Sequence, residues 1–89
     1  MSLNIDNIVR KTGIIKKKME SNLPLINSEI DTIIIKKDRT VKRIEHLLDT
    51  LLNYIPLGVG ESEFKKLNGY YKSFNKKNAD IYNEFYQGI

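Results

Sequence analysis

The stretch Leu25–Ile55, LINSEIDTIIIKKDRTVKRIEHLLDTLLNYI, decides the fold class. Ile30, Ile34, Val41, Ile44, Leu48, Leu51 and Ile55 recur at alternating steps of four and three, with Lys37 the one break. This is the helix period and the spacing of a heptad seam. Ile33-Ile34-Ile35 is locally β-branched, but it sits inside the longer period, and no alternating strand pattern occurs elsewhere. The stretch therefore reads as a single helix, roughly 45 Å long at 1.5 Å per residue.

On its C-terminal side, Pro56-Leu57-Gly58-Val59-Gly60 stops the pattern. Proline does not continue a helix from within, and glycine favours a helix end. A third segment follows, with the stripe Phe64, Leu67, Tyr71, Phe74, Asn78, Ile81 and Phe85. Ser62 suits its N-cap and Gly88 its stop. On the N-terminal side, Ser21-Asn22-Leu23-Pro24 reads as a break. Before it, Ile5, Ile8 with Val9, Thr12, Ile15 and Met19 mark a first, shorter helix. The expectation is an all-α single domain over residues 1–89. It would be an up-down-up three-helix bundle with helices at about 4–22, 25–55 and 62–86: a coiled-coil-like hairpin plus a shorter N-terminal helix.

Composition narrows the function. The 89 residues contain no cysteine, which excludes disulfides, thiolate nucleophiles and thiolate metal sites. No run approaches the roughly 20 apolar residues of a membrane span, and the N-terminus lacks the pattern of a secretory signal. The expected setting is the cytoplasm, without a membrane partner. The net charge of +4, from 15 basic and 11 acidic residues, is modest and mostly N-terminal.

Catalytic chemistry finds few candidates. His46 is the only histidine, and Glu45 beside it points to a different side of a helix. With no second histidine and no cysteine, the usual metal sites cannot be built. The serines lie in no nucleophile context, and the carboxylates are spread over lysine-rich faces. Gly58-Val59-Gly60 precedes a helix, but it follows a helix rather than a strand and has no Gly-Lys-Ser/Thr, so it reads as a turn between helices. No enzyme activity and no cofactor are expected.

Two surfaces remain. Tyr70, Tyr82 and Tyr86 broaden the apolar arc of the third segment beyond one core stripe, and tyrosine gives large contact area at low entropy cost. Ile14 and Ile35 lie on the far sides of their helices from the main stripes. Both features point to a non-enzymatic protein–protein interaction or self-association module: a homo-oligomer, most simply a dimer, or a partner of another helical protein. The alternative is a nucleic-acid-binding accessory protein. Antiparallel alignment would gather Arg10, Lys11, Lys36, Lys42, Arg43, Lys72, Lys76 and Lys77 into a mid-bundle basic belt, and such a belt binds phosphates by counterion release.

Overall fold

A computed structural model describes the backbone from Leu3 to Ile89 and the side chains from Ile15 onward. The chain is all-helical, and no strand forms among the described residues. Four helices replace the expected three: α1 Leu3–Ile35, α2 Val41–Tyr54, α3 Glu61–Lys72 and α4 Lys76–Gln87. A short 3-10 turn, Ile55–Leu57, follows α2.

The first correction is at Pro24, which lies inside α1 instead of ending a helix. Its missing N–H orphans the carbonyl of Glu20. Pro24 and Glu20 are both exposed, so the ring meets no core atom and water satisfies the carbonyl. Leu23, Ile26, Ile30 and Ile33 lie on the opposite side and pack into the core. That packing holds the helix through a residue of poor propensity.

The second correction is that the long spine 25–55 does not exist. It breaks at Lys36–Thr40. Lys37 adopts the left-handed conformation (φ 53°). Asp38 N–H donates to the Ile33 carbonyl at 2.9 Å and Lys37 N–H to the Ile34 carbonyl at 3.2 Å. This is a Schellman end with lysine where glycine is usual. Asp38 then organises the next start: its Oδ1 accepts from Thr40 N–H at 2.8 Å and from the Thr40 hydroxyl at 2.6 Å. Lys37 is exposed there, whereas the heptad reading placed it in a seam.

The third correction concerns 62–86, which breaks at Ser73–Asn75. Asn75 caps α4, its side-chain oxygen accepting from Asn78 N–H at 3.3 Å. The break resets the helical phase. Ala79 and Tyr82 turn inward, and Ile81 and Phe85, assigned to the stripe by continuous periodicity, turn outward.

One core joins the four helices. It holds Ile26, Ile30 and Ile33 of α1; Ile44, Leu47, Leu48 and Leu51 of α2; Phe64, Leu67 and Tyr71 of α3; and Ala79 and Tyr82 of α4. Each fully buried Leu, Ile or Phe contributes about 1.5–3 kcal/mol of transfer free energy. α1 packs against α2 and α3, and α4 against α3 and α2. The α2–α3 turn works as the glycines suggested. Gly58 (φ 79°) and Gly60 (φ 89°) are both left-handed, and Val59 between them is buried.

Candidate interaction surface

Polar side chains tie the tyrosines of α3 and α4 to their own chain. Tyr70 donates its hydroxyl to the Asp38 carbonyl at 2.7 Å, locking α3 to the α1–α2 loop. Tyr71 donates to Glu45 at 2.5 Å, and Asn78 donates to the same carboxylate at 3.2 Å. Tyr82 donates to Asp49 at 2.8 Å. Tyr86 donates to Glu61, and its ring stacks on Phe64 with centroids 5.3 Å apart. Burial first, then the bond to Asp49, pushes the Tyr82 phenol well above its ordinary pKa. Tyr71 is raised for the same kind of reason, burial first and then Glu45. Of the three tyrosines singled out as partner anchors, Tyr82 is buried and Tyr70 and Tyr86 are half-buried.

The apolar residues that stay exposed on α4 are Ile81 (40%), Phe85 (54%) and the following Ile89. Sequence reading missed them as a surface because it carried one helical phase through Ser73–Asn75. The signal was Asn75 followed three residues later by Asn78, a usable cap. Ile81 and Phe85, with Glu45, Asn78 and Tyr82, line a groove of about 230 Å³ between α2 and α4. Glu45 forms its α2 side, and Asp49, one turn on, holds the Tyr82 hydroxyl beside it. Among the described residues neither carboxylate has a cation within ion-pair distance.

Ile35 is exposed (79%), as expected, and Leu25 is comparably exposed on α1. Ile14, the proposed companion of Ile35, lies outside the described side chains, as do Arg10 and Lys11 of the basic belt. The rest of the belt is divided. Arg43 donates to Glu29 at 3.0 Å and to Asp38 at 2.9 Å, and Lys72 pairs with Asp80 at 3.6 Å. Those two charges are neutralised within the chain. Lys36, Lys42, Lys76 and Lys77 are exposed with no carboxylate at ion-pair distance among the described residues.

A cleft of about 500 Å³ runs past Glu20, Leu23 and the Gly58–Glu63 turn. Glu61 and Glu63 occupy the first turn of α3 there, so the positive end of that helix already faces carboxylates instead of a phosphate. No group of His, Asp or Glu among the described residues could hold a metal ion, and no described helix is long and apolar enough to cross a membrane.

Among the described residues, the stretch 15–22 of α1 is the other largely exposed surface. Because the helix runs through Pro24, the two stripes that a break would separate are one. At 100° per residue, Ile33, Ile30, Ile26, Leu23, Met19 and Ile15 fall within an arc of about 80°, and the sequence continues it through Thr12, Ile8 and Ile5. From Leu23 to Ile33 this face is packed into the core. At Ile15 the same face is 48% exposed, and Lys16, Lys17 and Lys18 around it are exposed. Comparison with family models, with curated proteins and with solved structures finds no match.

Proposed function

We propose that the protein is a non-enzymatic helical interaction module whose working surface is the exposed stretch of α1 at residues 15–22 together with the α2/α4 groove. One observation supports the reading above the others: a single apolar face of α1 is core at Ile26–Ile33 and bare at Ile15. A helix does not need an apolar stripe where nothing covers it. The tyrosines serve this role from beneath, fixing the groove by hydrogen bonds to Glu45 and Asp49.

The test is a photo-cross-linking residue at position 15, used in the native cell, with molar mass measured by light scattering across concentration. A discrete adduct, to itself or to one other protein, is expected. A strictly monomeric protein with no adduct at position 15 overturns the reading.

A further inference from the structure

The chain carries two surfaces of opposite chemistry. Residues 15–22 of α1 are a basic amphipathic helix: Lys16, Lys17 and Lys18 outweigh Glu20, and Ile15 and Met19 lie on one face. On a 100° wheel Lys16 borders that face on one side and Lys18 on the other. The α2/α4 groove is the complement, lined by apolar Ile81 and Phe85 and by Glu45, with Asp49 beside it on the Tyr82 hydroxyl; among the described residues neither carboxylate has a cation at ion-pair distance. Glu84 and Lys77 on α4 offset each other along the opposite side. α4 spans 12 residues, about 18 Å at 1.5 Å per residue, long enough for residues 15–22, about 12 Å of helix, to lie along it.

The arm cannot fill the groove of its own chain. α1 is one continuous helix packed into the core from Leu23 to Ile33, and Asn22 donates to the Tyr54 hydroxyl at the C-terminal end of α2, so the exposed residues 15–21 lie towards that end of α2 and away from Glu45. Resting on the interaction-module reading, we infer that a second copy of this chain is the occupant: the basic arm of each protomer lies in the acidic-lipped α2/α4 groove of the other. Reciprocal exchange closes a two-fold dimer with two equivalent contacts. Its apolar strip supplies the burial, and the lysines set arm against groove by charge.

The test uses the full chain in three forms: wild type, an arm variant (Ile15→Lys with Met19→Lys) and a groove variant (Phe85→Lys). All three substituted positions are exposed or half-exposed, so each variant should keep the wild-type circular dichroism spectrum and unfolding transition. Molar mass is measured by light scattering up to about 100 μM, above the micromolar affinities that a modest interface supports. The wild type should dimerise. Each variant alone should be monomeric, its dissociation constant raised at least tenfold. An equimolar mixture of the two should associate more than either variant alone but less than wild type, because one of the two contacts, the intact arm of one in the intact groove of the other, is restored.

A groove variant that still dimerises overturns the inference, since the contact is then arm to arm. A mixture that associates no more than either variant alone overturns it too. A monomeric wild type that gives one discrete adduct to a different protein at position 15 overturns the second-copy inference and leaves the interaction module standing. A variant that loses its helical spectrum is replaced by Lys16→Glu with Lys18→Glu on the arm or Ile81→Lys in the groove, which must behave as the first pair should.

Discussion

Asn68 of α3 donates its side-chain amide to the main-chain carbonyl of Ala79 in α4 at 3.0 Å, inside the core, while its own Oδ1 is buried without a partner. The bond joins two helices that meet at a broken helix, and the orphaned oxygen is a cost of it. Replacing Asn68 with Ala should lower stability by about 1–2 kcal/mol, from the lost bond and the cavity. Asn68→Leu should be the more stable of the two, because it fills the space and removes the orphaned acceptor. Urea unfolding of the three proteins gives the order.

Lys37 holds a left-handed conformation that an L-residue pays about 1–2 kcal/mol to adopt. Glycine removes that strain but gains freedom in the unfolded chain. Lys37→Gly should therefore stabilise by about 0.5–1 kcal/mol, seen as a higher urea midpoint at unchanged slope. A heptad seam continuing through position 37 would instead make glycine destabilising.

Pro24 tests the continuity of α1 directly. With its ring facing solvent, Pro24→Ala restores one hydrogen bond and disturbs no packing. Helix content should be unchanged or slightly higher, and stability should rise by about 1–3 kcal/mol. A fall in stability would mean that Pro24 ends a helix there and sets a turn.

The two turn glycines should respond unequally to alanine. A Cβ on Gly58 meets nothing within 4 Å, whereas one on Gly60 lies 2.8 Å from Leu51 Cδ2. Both positions carry the left-handed penalty, about 1–2 kcal/mol. Gly60→Ala also pushes on a core leucine, so it should be the costlier by about 1 kcal/mol or more. Thermal unfolding of the pair measures the difference.

Asp38 supplies a pH dependence. The Thr40 hydroxyl and amide, then Arg43, hold its carboxyl below its ordinary pKa. A carboxylate depressed in the folded state adds stability above its unfolded pKa, and this is lost as pH falls through the folded value. The contribution is therefore present in full at neutral pH and begins to fall away as pH drops below about 4, towards the folded value. Asp38→Asn should lower the urea midpoint at pH 7 and have a much smaller effect at pH 3. An equal loss at both values would show that the carboxylate charge plays no part.

The sequence by itself determined that the protein is helical and which residues supply most of its core. Ile30, Ile44, Leu48, Leu51, Phe64, Leu67 and Tyr71 all belong to the expected stripes and are all buried. Periodicity suffices there because one buried face dictates both the helix and the identity of its residues. It also marked the Gly58–Gly60 turn, since positive φ is a local demand that glycine answers.

Apart from the Gly58–Gly60 turn, tertiary structure decided where the helices stop. Pro24 should break α1 on propensity, but the packing of Leu23 to Ile33 outweighs one lost hydrogen bond at a solvated carbonyl. Lys37 and Ser73–Asn75 carry no strong breaker, yet the chain turns at both places so that four helices share one core. Each turn resets the helical phase, and phase decides which side chains face outward. That is why Tyr82 lies in the core and Phe85 on the surface, the reverse of what one continuous helix implies.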